Sequence, residues 1–108
     1  MKTIAILNEN ESDIDSLLYI LGNHYDILIA LNITEAIELL EEESIDLFLV
    51  SLDLTDQQGV NYFKILLNQK KIPTIFSTEK SNQTDQTINL IIKSFNEEEL
   101  LTKIEQLL

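Results

Sequence analysis

The run Leu47-Phe48-Leu49-Val50, entered from Asp46 and left through Ser51, is apolar at every position. A strand with one wet face alternates apolar and polar residues, whereas a strand covered on both faces does not. The residues that follow, Leu52-Asp53-Leu54-Thr55-Asp56-Gln57-Gln58-Gly59, read as a loop with a glycine opening a helix. A strand buried on both faces needs parallel neighbours and helices above and below it, so this stretch asks for an open α/β sheet. In such sheets, chemistry gathers outside the carboxyl ends of the strands. The residue at that end here is Ser51.

The rest of the chain supplies the partners. Short runs rich in Ile, Leu and Val alternate with amphipathic segments: Ile4 to Leu7, Tyr25 to Ala30, Asp46 to Ser51, Pro73 to Ser77 and Leu90 to Ile92 read as five strands. A proline at the first position of the fourth is tolerated there. Ser12 is expected to cap the first helix, with Asp15 in the capping-box place and Gly22 stopping it. Its inward face is Ile14, Leu17, Leu18 and Leu21. Asn32 and Glu35 open a second helix that turns Ile33, Ala36, Ile37 and Leu40 inward. A third starts near Gln58-Gly59 and buries Val60, Phe63 and Leu67. Asn96 and Glu99 cap a last one, with Leu100, Ile104 and Leu107 on one face. Between the fourth and fifth strands, Glu79 to Ile88 is polar and too short for a full helix with two loops, so the helix there is expected to be short or absent. The alternation implies one domain, residues 1–108: a flavodoxin-like, doubly wound α/β fold with a five-stranded parallel sheet in the order 2-1-3-4-5.

Composition closes off several functions. The net charge is −12 and every cation is a lysine, which argues against nucleic acid and anionic membrane surfaces, both of which need basic patches. A neutral or basic protein partner fits better. With no cysteine there is no disulfide, thiol catalysis or thiolate metal site. No apolar run approaches the ~20 residues of a membrane helix, and the apolar start, Ile4 to Leu7, is far shorter than a signal peptide's and turns acidic at once. A cytoplasmic location is the default expectation.

On spacing, the whole chain resembles a response-regulator receiver domain. Asp46 opens the third strand, Ser51 stands five residues on, and Gly59 stands eight beyond that. In the family, those distances mark the aspartate that accepts a phosphoryl group. Asn8 and Glu9 match the family's acidic pair after the first strand, which holds magnesium. Thr78 matches the hydroxyl residue ending the fourth strand, and Lys93-Ser94-Phe95 matches the Lys-Pro-Phe that follows the fifth. Ile72-Pro73 fits as well.

The departures decide the expected function. Magnesium wants hard oxygen ligands in strict geometry, and the resemblance implies three carboxylates; only Glu9 remains, with Asn8 and Ser51 in the other places. A serine is a weak nucleophile without an adjacent base, and the single histidine, His24, precedes the second strand at the opposite end of the sheet. Thr55, Ser94 and Leu90 replace a loop proline, the proline after the lysine and the switch aromatic. The resemblance therefore implies a degenerate, or pseudo-, receiver: a phosphorylation-independent protein-interaction module in signalling, not an enzyme, with no cofactor. The alternative is an atypical receiver that is phosphorylated on Ser51 or Asp53 with a weakly bound divalent cation, for which Glu9 and Asp53 are the candidate ligands. A flavin or nucleotide site is disfavoured, because the loop Asn8-Glu9-Asn10-Glu11 lacks glycine and is acidic. Lys93 is expected to pair with Glu9, and Thr78 to bond backbone. Tyr19 and Ile20 on the first helix, and Tyr62, Ile65 and Leu66 on the third, lie off the inward stripes at ~100° per residue and form a candidate partner surface.

Overall fold

A computed structural model describes residues 1–79 and 89–108. In chain order it contains β1 (Thr3–Leu7), α1 (Glu11–Leu21), β2 (Asp26–Ala30), α2 (Ile33–Glu42), β3 (Leu47–Ser51), α3 (Gln57–Lys70), β4 (Thr74–Thr78), β5 (Asn89–Ile92) and α4 (Glu97–Leu107). The strands form one sheet in the order β2-β1-β3-β4-β5, with every pairing parallel. The segment expected to hold a short or absent helix lies, apart from Glu79, outside the described residues.

Period-2 alternation along the strands divides the core between the two faces. Ile4, Ile6, Leu47, Leu49, Ile75 and Ile91 point to one face, under Leu17, Ile20 and Leu21 of α1 and Leu100 and Ile104 of α4. Ala5, Leu7, Phe48, Val50 and Phe76 point to the other, under Ala36 and Leu40 of α2 and Val60, Phe63 and Leu67 of α3. Phe48 and Phe63 meet edge to face, with ring centroids 5.0 Å apart, a favoured aromatic geometry. All five residues of β3 are buried, as its unbroken apolar run requires.

Helix starts are set by side-chain oxygens. Asn10 caps α1 by accepting from the Asp13 amide at 2.9 Å, two residues ahead of the expected Ser12 cap. Asn32 caps α2 and Asn96 caps α4, each accepting from the expected glutamate's amide. Asp56 caps α3 through the Gly59 amide at 2.8 Å. A β-carbon at Gly59 would crowd the Asp56 carboxylate and the Ile33 side chain, so this glycine permits a close approach of α3 to α2.

The inner stripe of α1 departs from expectation on one flank. Leu18 is 37% exposed and Ile20 only 7%. On a helical wheel at ~100° per residue, Leu18 lies nearer the Ile14–Leu17–Leu21 stripe than Ile20 does, so the helix alone favours burying Leu18. The choice comes from the neighbour: Phe95 and Leu100 share a core cluster with Ile20. Leu66 is likewise half-buried against the α2–α3 core, which leaves Tyr19, Tyr62 and Ile65 exposed. Tyr19 rides on a helix that packs one face of the sheet, and Tyr62 and Ile65 on a helix that packs the other, so they form two separate surfaces. Among the described residues, no helix is long and apolar enough to cross a membrane.

The packing predicts an asymmetric pair of substitutions. Ile20→Ala should lower stability by about 2–4 kcal/mol by opening a cavity, whereas Leu18→Ala should cost less than about 1 kcal/mol. Urea unfolding of the two variants measures both.

Candidate functional site

Parallel pairing brings the carboxyl ends of the strands together. Leu7 is paired with Ala30 and Val50, Ser51 with Ser77, and Thr78 with Ile92. Backbone bonds carry this alignment beyond the strands: Asn8 N–H donates to Ala30 O (3.1 Å), Leu52 N–H to Ser77 O (2.8 Å) and Lys93 N–H to Thr78 O (2.9 Å). Asn8, Ser51, Thr78 and Lys93, spread over 86 positions of sequence, thus stand at one edge of the sheet. Asp53 joins them from the loop after β3, and Glu9 from the loop after β1.

At the centre is the Lys93 side chain, only 7% exposed. Its ammonium donates to Ser51 Oγ at 2.7 Å and makes ion pairs with Asp13 Oδ2 at 3.0 Å and Asp53 Oδ2 at 3.3 Å. Lys93 reaches inward from an unusual turn. Ser94 and Phe95 follow it with φ of 146° and 35°, values that L-residues rarely adopt and that cost about 1–3 kcal/mol each. The turn aims the lysine at the strand ends and drops Phe95 into the core.

Ser51 is 2% exposed. Besides the Lys93 bond, its Oγ accepts from the Asp53 amide at 3.2 Å, which ties the start of the loop back to the strand end. Ser77, its partner across the ladder, is also buried, and its hydroxyl has no hydrogen-bond partner among the described residues. Asn8 is buried and bonded on both sides: its Nδ2 donates to Asp13 Oδ2 at 3.3 Å and its Oδ1 accepts from the Asn10 amide at 2.8 Å.

Asp53 receives three donors. The Thr78 hydroxyl donates to Oδ1 at 3.1 Å, and the Glu79 amide donates to Oδ2 at 2.8 Å, the same oxygen that pairs with Lys93. Partial burial alone would raise the Asp53 pKa. The Glu79 amide, the Lys93 ammonium and the Thr78 hydroxyl together outweigh burial and hold the carboxyl below its ordinary value.

One expected contact is replaced. Glu9 is not the partner of Lys93; its carboxylate accepts from the Thr55 amide at 2.7 Å and from the Thr55 hydroxyl at 3.2 Å. The reason is reach: Glu9 lies in the loop beside Thr55, while Asp13 sits on the first turn of α1, beside the lysine. The Thr78 hydroxyl donates to Asp53 Oδ1 at 3.1 Å. His24 is exposed, between α1 and β2 at the opposite edge of the sheet.

The sequence reading missed Asp13 and Thr55. Asp13 looks like any acid in the first turn of a helix. The available signal was that, once Asn10 is taken as the cap, position 13 lies on the helix end nearest Asn8.

These residues do not fit a magnesium ion. Asn8 turns an amide N–H, not an oxygen, toward Asp13, and Glu9 is engaged by Thr55. The Lys93 ammonium lies where a cation shared by Asp13 and Asp53 would have to lie. Among the described residues, no three His, Cys, Asp or Glu side chains group so as to hold a metal. Chemically, the edge is one cation shared by two carboxylates, with the Ser51 hydroxyl bonded to that cation.

Lys93→Met leaves Asp13 and Asp53 without their cation. Because both carboxylates retain some solvent, the expected cost is about 1–3 kcal/mol at neutral pH, below that of a fully buried pair. The pH dependence follows from Asp53. A carboxyl whose folded pKa is depressed stabilises the fold above its unfolded pKa and loses that contribution as pH falls through the folded value. The stability difference between the wild type and Asp53→Asn should therefore shrink steadily below about pH 4, read by urea unfolding at several pH values.

No family model matches the chain. Solved structures do. The chain is similar to the response regulator protein TrrA of Thermotoga maritima, solved in complex with Mg2+-BeF, at 27% identity and a TM-score of 0.81, with 100% of each chain covered. It is similar to a CheY-like response regulator receiver domain protein of Methanospirillum hungatei at 23% identity and a TM-score of 0.83, over 98% of this chain and 92% of that one. The chemotaxis protein CheY4 of Vibrio cholerae superposes with a TM-score of 0.86 at 17% identity, over 100% of this chain and 99% of that one. The order of the strands, the helices on both faces and these superpositions agree: the chain has the fold of the CheY-like response-regulator receiver domains.

Proposed function

We propose that this chain is a receiver domain of two-component signalling that acts without phosphorylation, as a protein-interaction module and not as an enzyme. The observation that carries this reading is the state of Ser51. Its hydroxyl stands at the acceptor position, buried and bonded to the Lys93 ammonium at 2.7 Å. A serine becomes a useful nucleophile when a neighbouring base takes its proton. Here the partner at 2.7 Å is a cation, and the only histidine is at the far edge of the sheet. The carboxylates of Asp13 and Asp53 are committed to that same cation, and Glu9 to Thr55.

A protein partner suits the net charge of −12, which favours a neutral or basic partner over nucleic acid, and the proposed setting is the cytoplasm. Tyr19 on α1, and Tyr62 with Ile65 on α3, are exposed apolar side chains that offer such a partner contact area. TrrA was solved with Mg2+-BeF, so the comparable treatment of this chain is the informative one. Incubation with magnesium and a small phosphodonor such as acetyl phosphate, followed by intact-mass measurement, should leave the mass unchanged. A phosphoryl group added to the protein, and lost on replacing Ser51 or Asp53, overturns the proposal in favour of an atypical phosphorylatable receiver.

A further inference from the structure

We propose that the outer face of α2 and α3 docks a basic amphipathic helix. That helix lays an apolar stripe on Tyr62 and Ile65 of α3 and a row of lysines or arginines along the glutamates of α2. The proposal rests on the protein-partner reading above and names the chemistry of the partner. Charge is unevenly spread along the chain. Gln57 to Thr78, which holds α3 and β4, contains three lysines and no acid, so all 19 acids lie outside it. Those lysines leave the middle of the outer face of α3 uncharged. Lys64 lies over the Phe76 ring of β4, 5.5 Å from its centroid, and Lys70 and Lys71 lie at the C-terminal end of the helix. At ~100° per residue, the side opposite the buried Val60, Phe63 and Leu67 presents Gln58, Tyr62, Ile65 and Gln69. Tyr62 is 53% and Ile65 57% exposed, and covering them desolvates no charge on this face.

The neighbouring helix supplies the charge. Gly59 of α3 lies close against Ile33 of α2, and Leu66 packs into the core that the two helices share, so they run side by side. Tyr62, one turn before Leu66, is on the flank of the apolar pair nearer α2. Opposite the buried Ala36 and Leu40 of α2, Glu38, Glu41 and Glu42 are exposed on one side at i, i+3 and i+4. Among the described residues, no cation pairs with any of the three. An apolar ridge with acids along one flank asks for an occupant with an apolar stripe and cations beside it, and an amphipathic helix carries that pattern. The 14 residues of α3 run for about 21 Å, which matches roughly four turns of such a helix. A second copy of this chain suits the face poorly, because two chains of net charge −12 repel each other.

The test is the amide spectrum of the 15N-labelled full chain, titrated with a synthetic peptide of about 18 residues, long enough to form a helix on binding. The peptide carries leucines at helical spacing on one face and lysines elsewhere; a second peptide has glutamate in place of every lysine. The lysine peptide should shift α2 and α3 amides saturably, and the glutamate peptide should not. Ile65→Glu should weaken binding about tenfold or more, and Tyr62→Ser carries the same test if that variant does not fold. The pair Glu38→Lys and Glu41→Lys should weaken it more than the same change of charge placed on α4, Glu98→Lys with Glu105→Lys. Shifts centred on α1 or α4, equal binding of the two peptides, unchanged affinity of the α3 variants, or no saturable shift overturns the proposal. Failure here is distinct from failure of the proposed function. An unmodified mass with no peptide binding removes this surface alone, whereas an added phosphoryl group removes the phosphorylation-independent reading whatever the peptide does.

Discussion

An ammonium group taken out of water must be repaid with charge and hydrogen bonds, and the carboxyl edge of this sheet is organised around that requirement at Lys93. The group is nearly buried and holds three partners from three places: Ser51 at the end of β3, Asp53 in the loop that follows, and Asp13 on α1. Each partner is itself fixed. Asp13 is bonded by Asn8 and sits in a turn capped by Asn10, and Asp53 is held by Thr78 and Glu79. Removing the lysine strands two carboxylates, while removing either carboxylate leaves the ammonium with the other. The strained turn at Ser94 and Phe95 is tolerated because it delivers the lysine to this point while burying Phe95.

The same cluster supports the proposed reading of a site that acts without phosphorylation. A nucleophile, a metal and a place for phosphoryl oxygens need free lone pairs, grouped carboxylates and unoccupied donors. Ser51 gives its lone pairs to a cation and an amide, Lys93 takes the place of a metal between two acids, and Asp53 is bonded by Thr78 and Glu79. Of the candidate partner residues, those left exposed are on the helices. Tyr19 and the Tyr62–Ile65 pair are on opposite layers, so a partner that contacts one does not reach the other through the same surface.

Much of this was legible in the residues. The unbroken apolar run of β3 required two covered faces, and the alternation of strands and helices led to the order of the sheet. The Asp46–Gly59 spacing placed Ser51 at the strand end, and Asn8, Thr78 and Lys93 arrived at that edge as the spacing implied. Side-chain partners were less legible. Nothing in the sequence distinguishes Asp13 from an ordinary helix-opening acid, and the direction of Asp53 depends on a loop bond to Ser51 that no periodicity encodes. The Glu9 contact went to Thr55 because a nearer acceptor displaced it at the lysine. On α1, helical geometry favoured Leu18 over Ile20, and the packing around Phe95 and Leu100 reversed the choice.

The most direct measurement is a double-mutant cycle on Lys93 and Asp53, with Lys93→Met, Asp53→Asn and the double variant unfolded in urea at neutral pH. A favourable coupling of about 1 kcal/mol or more is expected for two groups in direct contact within one network. Costs that add, with a coupling indistinguishable from zero, would contradict a sheet edge held together by this lysine.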